Sequence, residues 1–532
     1  MTVSRAAVVS AHPLASDAGL EVMKMGGNAV DAAIATQLAL AVVYPGAGNL
    51  GGGGFMVAHF ANGKNYALDY RETAPGKAFR DMYLDSAGNA NTTLSQKSRL
   101  ASGVPGTVAG IFASLKYAKL PFRLLIARAI VLADKGFAIT AGQANSFNGN
   151  RDAFIKANVG NMPFVKTEKW KAGDTLIQKD LAITLKRMRD LGAKGFYEGV
   201  TAKLIEAEMK RGQGIISLQD LKNYRARERE IMQFPYKEYQ VLTMPLPSSG
   251  GLIIQQLMKM IEKRDIKSLQ FQTPASVQLM VEAERRAYAD RANFMGDPDF
   301  VKVPVAAMVS DSYLEKRMAD FIPGKAGSSS ITKAGVVKES EETTHLSVMD
   351  EKGNAVSVTT TLNDGYGNKT MVRGAGFLLN NEMDDFSIKE GVPNMYGAVG
   401  NAANAIAPNK RMLSSMTPVI VLKNNLPYIV VGTPGGTTIP TSVFQSLVNI
   451  LEFGLSEEEA VNRPKFHHQW LPDIIEVEKD FPAAVTEALK SMGYTVKTRG
   501  DIGRVELIRI LPAEKKLNAI GDKRGDDAVR GW

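Results

Sequence analysis

The feature that most restricts how this chain can fold is an abrupt change of texture at residue 343. Residues 323–342 are rich in Gly, Ser, Lys and Glu with few large apolar side chains, which predicts a solvated, flexible connector. Directly after it, 344–349 and 355–362 are two β-rich runs around Asp350-Glu351-Lys352-Gly353-Asn354, the pattern of a β-hairpin. Thr343 therefore stands where a flexible segment meets a strand.

Upstream, helix and strand signals alternate. A helical pattern over 16–25 stops at Gly26-Gly27, and Asp31 opens an Ala-rich helix reaching about Val43. Short apolar runs at 55–60 and 66–70 predict a second hairpin. The middle, about 104–321, reads as mainly helical, with Thr273-Pro274 capping a long helix to about Ala292. Near the end, Ser456 and Glu459 form a capping box.

Composition narrows the function. The net charge is +9, but Lys and Arg are spread along the chain rather than gathered in blocks, which favours small anionic substrates over nucleic acid. Cysteine is absent, so disulfides, thiolate metal sites and a cysteine nucleophile are all excluded. The longest apolar run, 32–43, is broken by Thr36 and Gln37 and falls short of the ~20 residues that span a bilayer. Residues 1–10 lack the pattern of a secretory leader, so the chain reads either as cytosolic or as one whose leader was replaced by Met1.

Two familiar motifs fail on their flanks. Gly46-Ala47-Gly48-Asn49-Leu50-Gly51, with Asp69 beyond, matches a dinucleotide fingerprint, but a helix precedes it and a strand follows, the reverse of what pyrophosphate binding needs. His12, His59, His345, His467 and His468 lack the spacing of a helical metal pair, and there is no Gly-x-Ser-x-Gly elbow. His467-His468 beside Trp470 reads as structural.

Glu342-Thr343-Thr344-His345 offers different chemistry. A threonine hydroxyl is a weak nucleophile, but as the first residue of a chain its own α-amine, with a pKa of ~7.7 to 8, can serve as base. Such an end arises if the hydroxyl attacks the Glu342 carbonyl and water opens the resulting ester. An isolated Thr-Thr would simply start a strand.

This one is not isolated. Gly26-Gly27-Asn28-Ala29-Val30-Asp31-Ala32-Ala33, Gly51-Gly52-Gly53-Gly54-Phe55, Asp69-Tyr70-Arg71-Glu72-Thr73-Ala74-Pro75 and Gly103-Val104-Pro105-Gly106 come first. Pro247-Ser248-Ser249-Gly250-Gly251, Thr343-Thr344-His345, Asn380-Asn381-Glu382-Met383-Asp384-Asp385-Phe386, Leu413-Ser414-Ser415-Met416 and Thr433-Pro434-Gly435-Gly436 follow. In this order, over nearly the whole chain, they resemble the signatures of the γ-glutamyltransferase family.

The resemblance implies an α+β N-terminal nucleophile hydrolase fold: four layers, αββα, with two stacked, mainly antiparallel sheets. It implies a precursor cut between Glu342 and Thr343 into a large piece, 1–342, ending in the flexible linker 323–342, and a small piece, 343–532. The two would stay associated as a heterodimer in one intertwined unit. Thr343 would attack γ-glutamyl amides such as glutathione, and water or an amino acid would then accept the glutamyl group. Thr361 would orient the nucleophile, and the Gly435 and Gly436 amides would hold the oxyanion. Arg71, with Ser414 and Ser415, would bind the α-carboxylate. Asp385, with Glu382 and Asn363, would hold the α-ammonium, and Tyr396 would close a lid at 391–397. No metal or organic cofactor is implied, nor a nucleic-acid partner, and a periplasmic or secreted setting is. The rival readings are a glutaryl or cephalosporin acylase of the same superfamily and a scaffold that keeps the fold without cleaving.

Overall fold

A computed structural model describes residues 1–329, 343–511 and 514–532. Its core is two seven-stranded sheets stacked face to face, both antiparallel throughout. One runs Ala528–Gly531, Ala7–Ser10, Thr343–Met349, Ala355–Thr361, Gly53–His59, Asn65–Asp69, Arg227–Arg229. The other runs Thr2–Val3, Lys516–Ile520, Glu506–Leu511, Leu426–Gly432, Val419–Lys423, Tyr239–Thr243, Met232–Tyr236. Both draw strands from either side of residue 343, so neither sheet is complete without both halves.

Phe55, Val57, Val9, Leu242, Ile420, Val430 and Ile508 fill the space between the sheets. Helices Pro13–Lys24 and Ala29–Val43 cover the first sheet, and Gly250–Glu262, Pro274–Phe294 and Thr438–Leu451 cover the second, giving four layers. Every residue of the strands Thr343–Met349, Ala355–Thr361 and Gly53–His59 is buried, because each is central in its sheet and covered on both faces.

The Ala-rich helix is buried along its whole length, which small side chains permit by letting neighbours approach closely. It starts at Ala29, two residues before the predicted Asp31. Asn28 is the cap, and Asp31 closes a capping box from the third helical position while also accepting the Lys119 and Leu120 amides. The hairpins, the Thr273 cap and the Ser456–Glu459 box form as predicted.

The middle is mainly helical, as expected, but it also carries strands that the sequence reading did not single out. Arg227–Arg229, Met232–Tyr236 and Tyr239–Thr243 are strands that extend both sheets. Met232–Tyr236 contains Pro235, which argues against a strand in sequence but is accommodated at a sheet edge, where one side of the backbone has no partner strand. Part of the connector also differs from expectation. Gly324, Gly327 and Ser329 amides donate to Gln278, Glu282 and Asp473, so this stretch is fastened to the body. The rest of the connector, Glu342 included, lies outside the described residues. No helix among the described residues is long and apolar enough to cross a membrane.

Candidate active site

Thr343 opens its strand directly opposite Thr361, and residues so paired project to the same face. Their hydroxyl oxygens are 3.3 Å apart. Thr361 Oγ1 also accepts the Asn363 amide at 2.8 Å, fixing it against Thr343. The same face continues inward as a polar seam: His345 meets Thr359 at 2.9 Å and Ser347 at 3.1 Å, and Ser347 donates to the Glu506 carbonyl. Burial pushes the His345 imidazole down to about 3, so it stays neutral and serves as a hydrogen-bonding spacer.

Thr343, Thr361, Arg71, Asn363, Glu382, Asp385, Tyr396, Ser414, Ser415 and Gly436 all line one cleft of about 310 Å³. Gly435 lines a second, of about 530 Å³, that also reaches Thr343 and runs past Pro434, Tyr44, Asp501 and Arg504. Thr343 thus sits where two cavities meet.

Arg71 follows the strand Asn65–Asp69 and is fully buried. Its guanidinium holds Glu382 through Nη1 and Asp385 through Nη2, and its remaining donors reach the Met412 and Leu413 carbonyls at 3.3 and 3.2 Å. The residues expected to receive opposite ends of a zwitterion therefore hold one another. Glu382 and Asp385 begin and end a single helical turn, a three-residue spacing that brings both to one side. Burial pushes Glu382 up to about 7 and Asp385 above the usual carboxylate range, with the Arg71 guanidinium opposing both shifts. Burial also works against the charge of Arg71, but the acids around it outweigh this and raise its pKa.

Ser414 and Ser415 lie beside Ser248-Ser249. The Ser249 amide donates to the Ser414 carbonyl at 2.7 Å, just before the helix Gly250–Glu262 begins. Ser415 Oγ accepts Arg291 Nη2 at 3.3 Å. Asn363 has a left-handed backbone, φ 78°, which turns the chain away from the strand, and its side chain donates to the Asn381 carbonyl at 3.0 Å.

Tyr396 is buried. Its hydroxyl donates to the Asn363 carbonyl, and its own carbonyl accepts Gln469 Nε2 at 3.0 Å. Its ring rests over Gly436, where a Cβ would come within 2.6 Å of it. The loop is pinned to the acidic turn by Asn394 Nδ2 to Asp385, 3.0 Å, and by the Met395 amide to Asp384, 2.8 Å. His467 bonds Thr441 at 2.8 Å and Gln469 at 2.9 Å, a supporting role.

Gly435 and Gly436 have φ of 136° and 54° and lead into the helix Thr438–Leu451. Among the described residues neither amide has an acceptor. Two unengaged donors at the positive end of a helix can stabilise a developing oxyanion.

Three contributors were not singled out in sequence: Arg291, Asn394 and Gln469. Asn394 lies inside the recognised lid segment, a usable signal. Arg291 and Gln469 carry none, because their distance from the site is visible only after folding.

The model of the family described as Gamma-glutamyltranspeptidase matches residues 15–532. The glutathione hydrolase proenzyme of Escherichia coli is 44% identical over 531 residues, 99% of this chain and 91% of that protein. The Acylase ACY 1 proenzyme of a Pseudomonas strain is 34% identical, covering 93% of this chain and 88% of its own length. Among solved structures, the cephalosporin acylase from Bacillus halodurans superposes with a TM-score of 0.87 at 25% identity, over 100% of this chain and 96% of that one.

Proposed function

The chain belongs to the gamma-glutamyltranspeptidase family, and from that premise we propose that it becomes active when Thr343 is released as a new N-terminus and attacks γ-glutamyl amides. The carrying observation is the Thr343 hydroxyl, 3.3 Å from Thr361, in a cleft whose far wall is Arg71, Glu382 and Asp385.

In the precursor, Thr343 Oγ adds to the Glu342 carbonyl, the peptide bond becomes an ester, and water opens it. The released α-amine, neutral above its pKa of ~7.7 to 8, then takes the Thr343 proton as the hydroxyl adds to the donor's γ-carbonyl. The oxyanion faces the Gly435 and Gly436 amides, each such donor contributing ~3 kcal/mol. The tetrahedral intermediate collapses as the ammonium returns its proton to the leaving amine. Water, or an amino acid or peptide amine, then attacks the γ-glutamyl ester and regenerates Thr343.

Donor recognition is an exchange of ion pairs. A zwitterionic α-carbon inserts between Arg71 and Asp385, its carboxylate taking the guanidinium and its ammonium taking the acids, so one internal pair becomes two intermolecular ones. Ser414 and Ser415 hydroxyls flank the carboxylate, Asn363 the ammonium, and Tyr396 covers the cleft. The second cavity at Thr343 receives the leaving or accepting amine. A glutaryl group would leave the acids without a cation, which disfavours the acylase reading.

The cut pieces, 1–342 and 343–532, stay together because both sheets need strands from each. A periplasmic or secreted location follows from the family resemblance, and cell fractionation tests it. Intact mass and N-terminal sequencing of active protein test the central reading: a fragment beginning at Thr343, absent from Thr343→Ala, is expected. Full turnover by an uncut chain would refute it.

A further inference from the structure

Glu72, behind the donor cleft, is a buried acid that the chemistry above leaves unused. It directly follows Arg71, is fully buried, and backs onto Gly53, where a Cβ would lie 2.4 Å from Glu72 Oε2. Its nearest cation, Arg71 Nη1, which donates to Glu382, is 3.7 Å away, too far for a hydrogen bond.

The phenols packed around it are also committed elsewhere. Tyr224 donates to the Arg71 carbonyl at 2.7 Å, Tyr197 to the Pro105 carbonyl at 2.8 Å, and Tyr70 to Gln37 at 3.1 Å. Beyond Glu382 and Arg71 the charged neighbours are Asp385 and, past it, Arg291. Among the described residues both Glu72 oxygens and Glu382 Oε2 lack any donor. Two carboxylates can only accept, so as ions this pair is a buried repulsion with three unsatisfied oxygens. One proton turns it into a hydrogen bond.

That proton belongs on Glu72. Glu382 is in direct contact with Arg71, which favours its ionised form, whereas Glu72 has only the more distant Arg71 charge and its own backbone amide to favour an ion. Burial first and the neighbouring Glu382 second push the Glu72 carboxyl well above its usual range. Glu382 lies within side-chain hydrogen-bonding reach of it.

We propose that Glu72 works as a carboxylic acid rather than a carboxylate: a positioning residue whose O–H donates to Glu382 Oε2 while Arg71 holds Oε1. Glu382 is thereby clamped at both oxygens and kept ionised to receive the donor's α-ammonium. This rests on the γ-glutamyl reading above and adds a residue that governs selection for an α-amino group without touching the substrate.

The test compares Glu72→Gln and Glu72→Ala with wild type, each checked for cleavage on a gel and for folding by circular dichroism. KM for a γ-glutamyl anilide, and inhibition by L-glutamate and by glutarate, which lacks the ammonium, are then measured. Glu72→Ala should raise KM about tenfold, the effect of one lost charge-assisted hydrogen bond, and weaken glutamate much more than glutarate. Glu72→Gln, whose amide still donates, should restore most of that loss. It should also remove one alkaline inflection from the pH profile of KM, since an amide cannot lose the proton. Glu72→Gln as impaired as Glu72→Ala, an unchanged alkaline limb, or equal weakening of glutamate and glutarate would each overturn the inference while leaving the γ-glutamyl reading intact. Wild type without γ-glutamyl turnover would overturn both.

Discussion

Gln469 reaches across to the Tyr396 carbonyl with a 3.0 Å hydrogen bond, so the loop over the cleft is held from the same segment that His467 orders. Closure over the nucleophile is thus tied to the packing of the second sheet's helices. It is not a property of the loop alone.

Replacing the nucleophile separates processing from chemistry. Thr343→Ala is expected to run as a single full-length band with no turnover. Thr343→Ser should cleave slowly, because serine keeps the hydroxyl but lacks the methyl that restricts its rotamer. A denaturing gel over time, beside anilide hydrolysis, reads both.

Thr361→Val keeps the shape and removes the oxygen that meets Thr343 and accepts the Asn363 amide. The stranded amide should cost about 1–3 kcal/mol of stability, measurable by urea denaturation. kcat should fall at least about tenfold with a smaller change in KM, whereas Thr361→Ser should keep most of both.

Gly436→Ala tests the close approach at the oxyanion turn. At φ 54° a side chain is strained, and its Cβ would press 2.6 Å from the Tyr396 ring. Loss of about 1–3 kcal/mol in stability and a drop in kcat are expected. A variant as stable and active as wild type would show that the turn has room to spare.

The acids set a pH dependence. Glu382, pushed up to about 7, gains a proton as pH falls through that value and then offers the ammonium a neutral partner, so KM should rise between pH 8 and pH 6. The sign is that of a raised carboxyl: charge is present above the shifted value and lost below it. Glu382→Gln should show a high KM that is nearly flat over this range. Steady-state kinetics across that range decide it.

Asp385→Asn should sharply reduce the preference for γ-glutamyl over glutaryl anilides, since the ammonium keeps only Glu382 as a charged partner while Arg71 still binds the carboxylate. A ratio of kcat/KM values that stays as in wild type would rule out Asp385 as the partner of the ammonium.

Much of the molecule can be read along the chain. Asp350–Asn354 sets the hairpin that carries Thr343 opposite Thr361, because a turn of that chemistry fixes strand register. Gly26-Gly27, Asn28 with Asp31, and Thr273 with Pro274 place helix ends through local hydrogen bonds. The edge strands Arg227–Arg229 and Met232–Tyr236 stayed hidden because many of their side chains are exposed and one contains proline. The motif segments named the site residues but not their mutual contacts. By itself the sequence determined elements, register and the chemical inventory, all of which depend on residues within a few positions of one another. Only the tertiary structure decided that Arg71 clasps Glu382 across 311 residues of sequence, that Arg291 stands behind Ser415, and that Glu72 is buried beside Glu382. The physical reason is that these depend on desolvation and charge balance inside one shared cavity, which do not exist until the two sheets close around it.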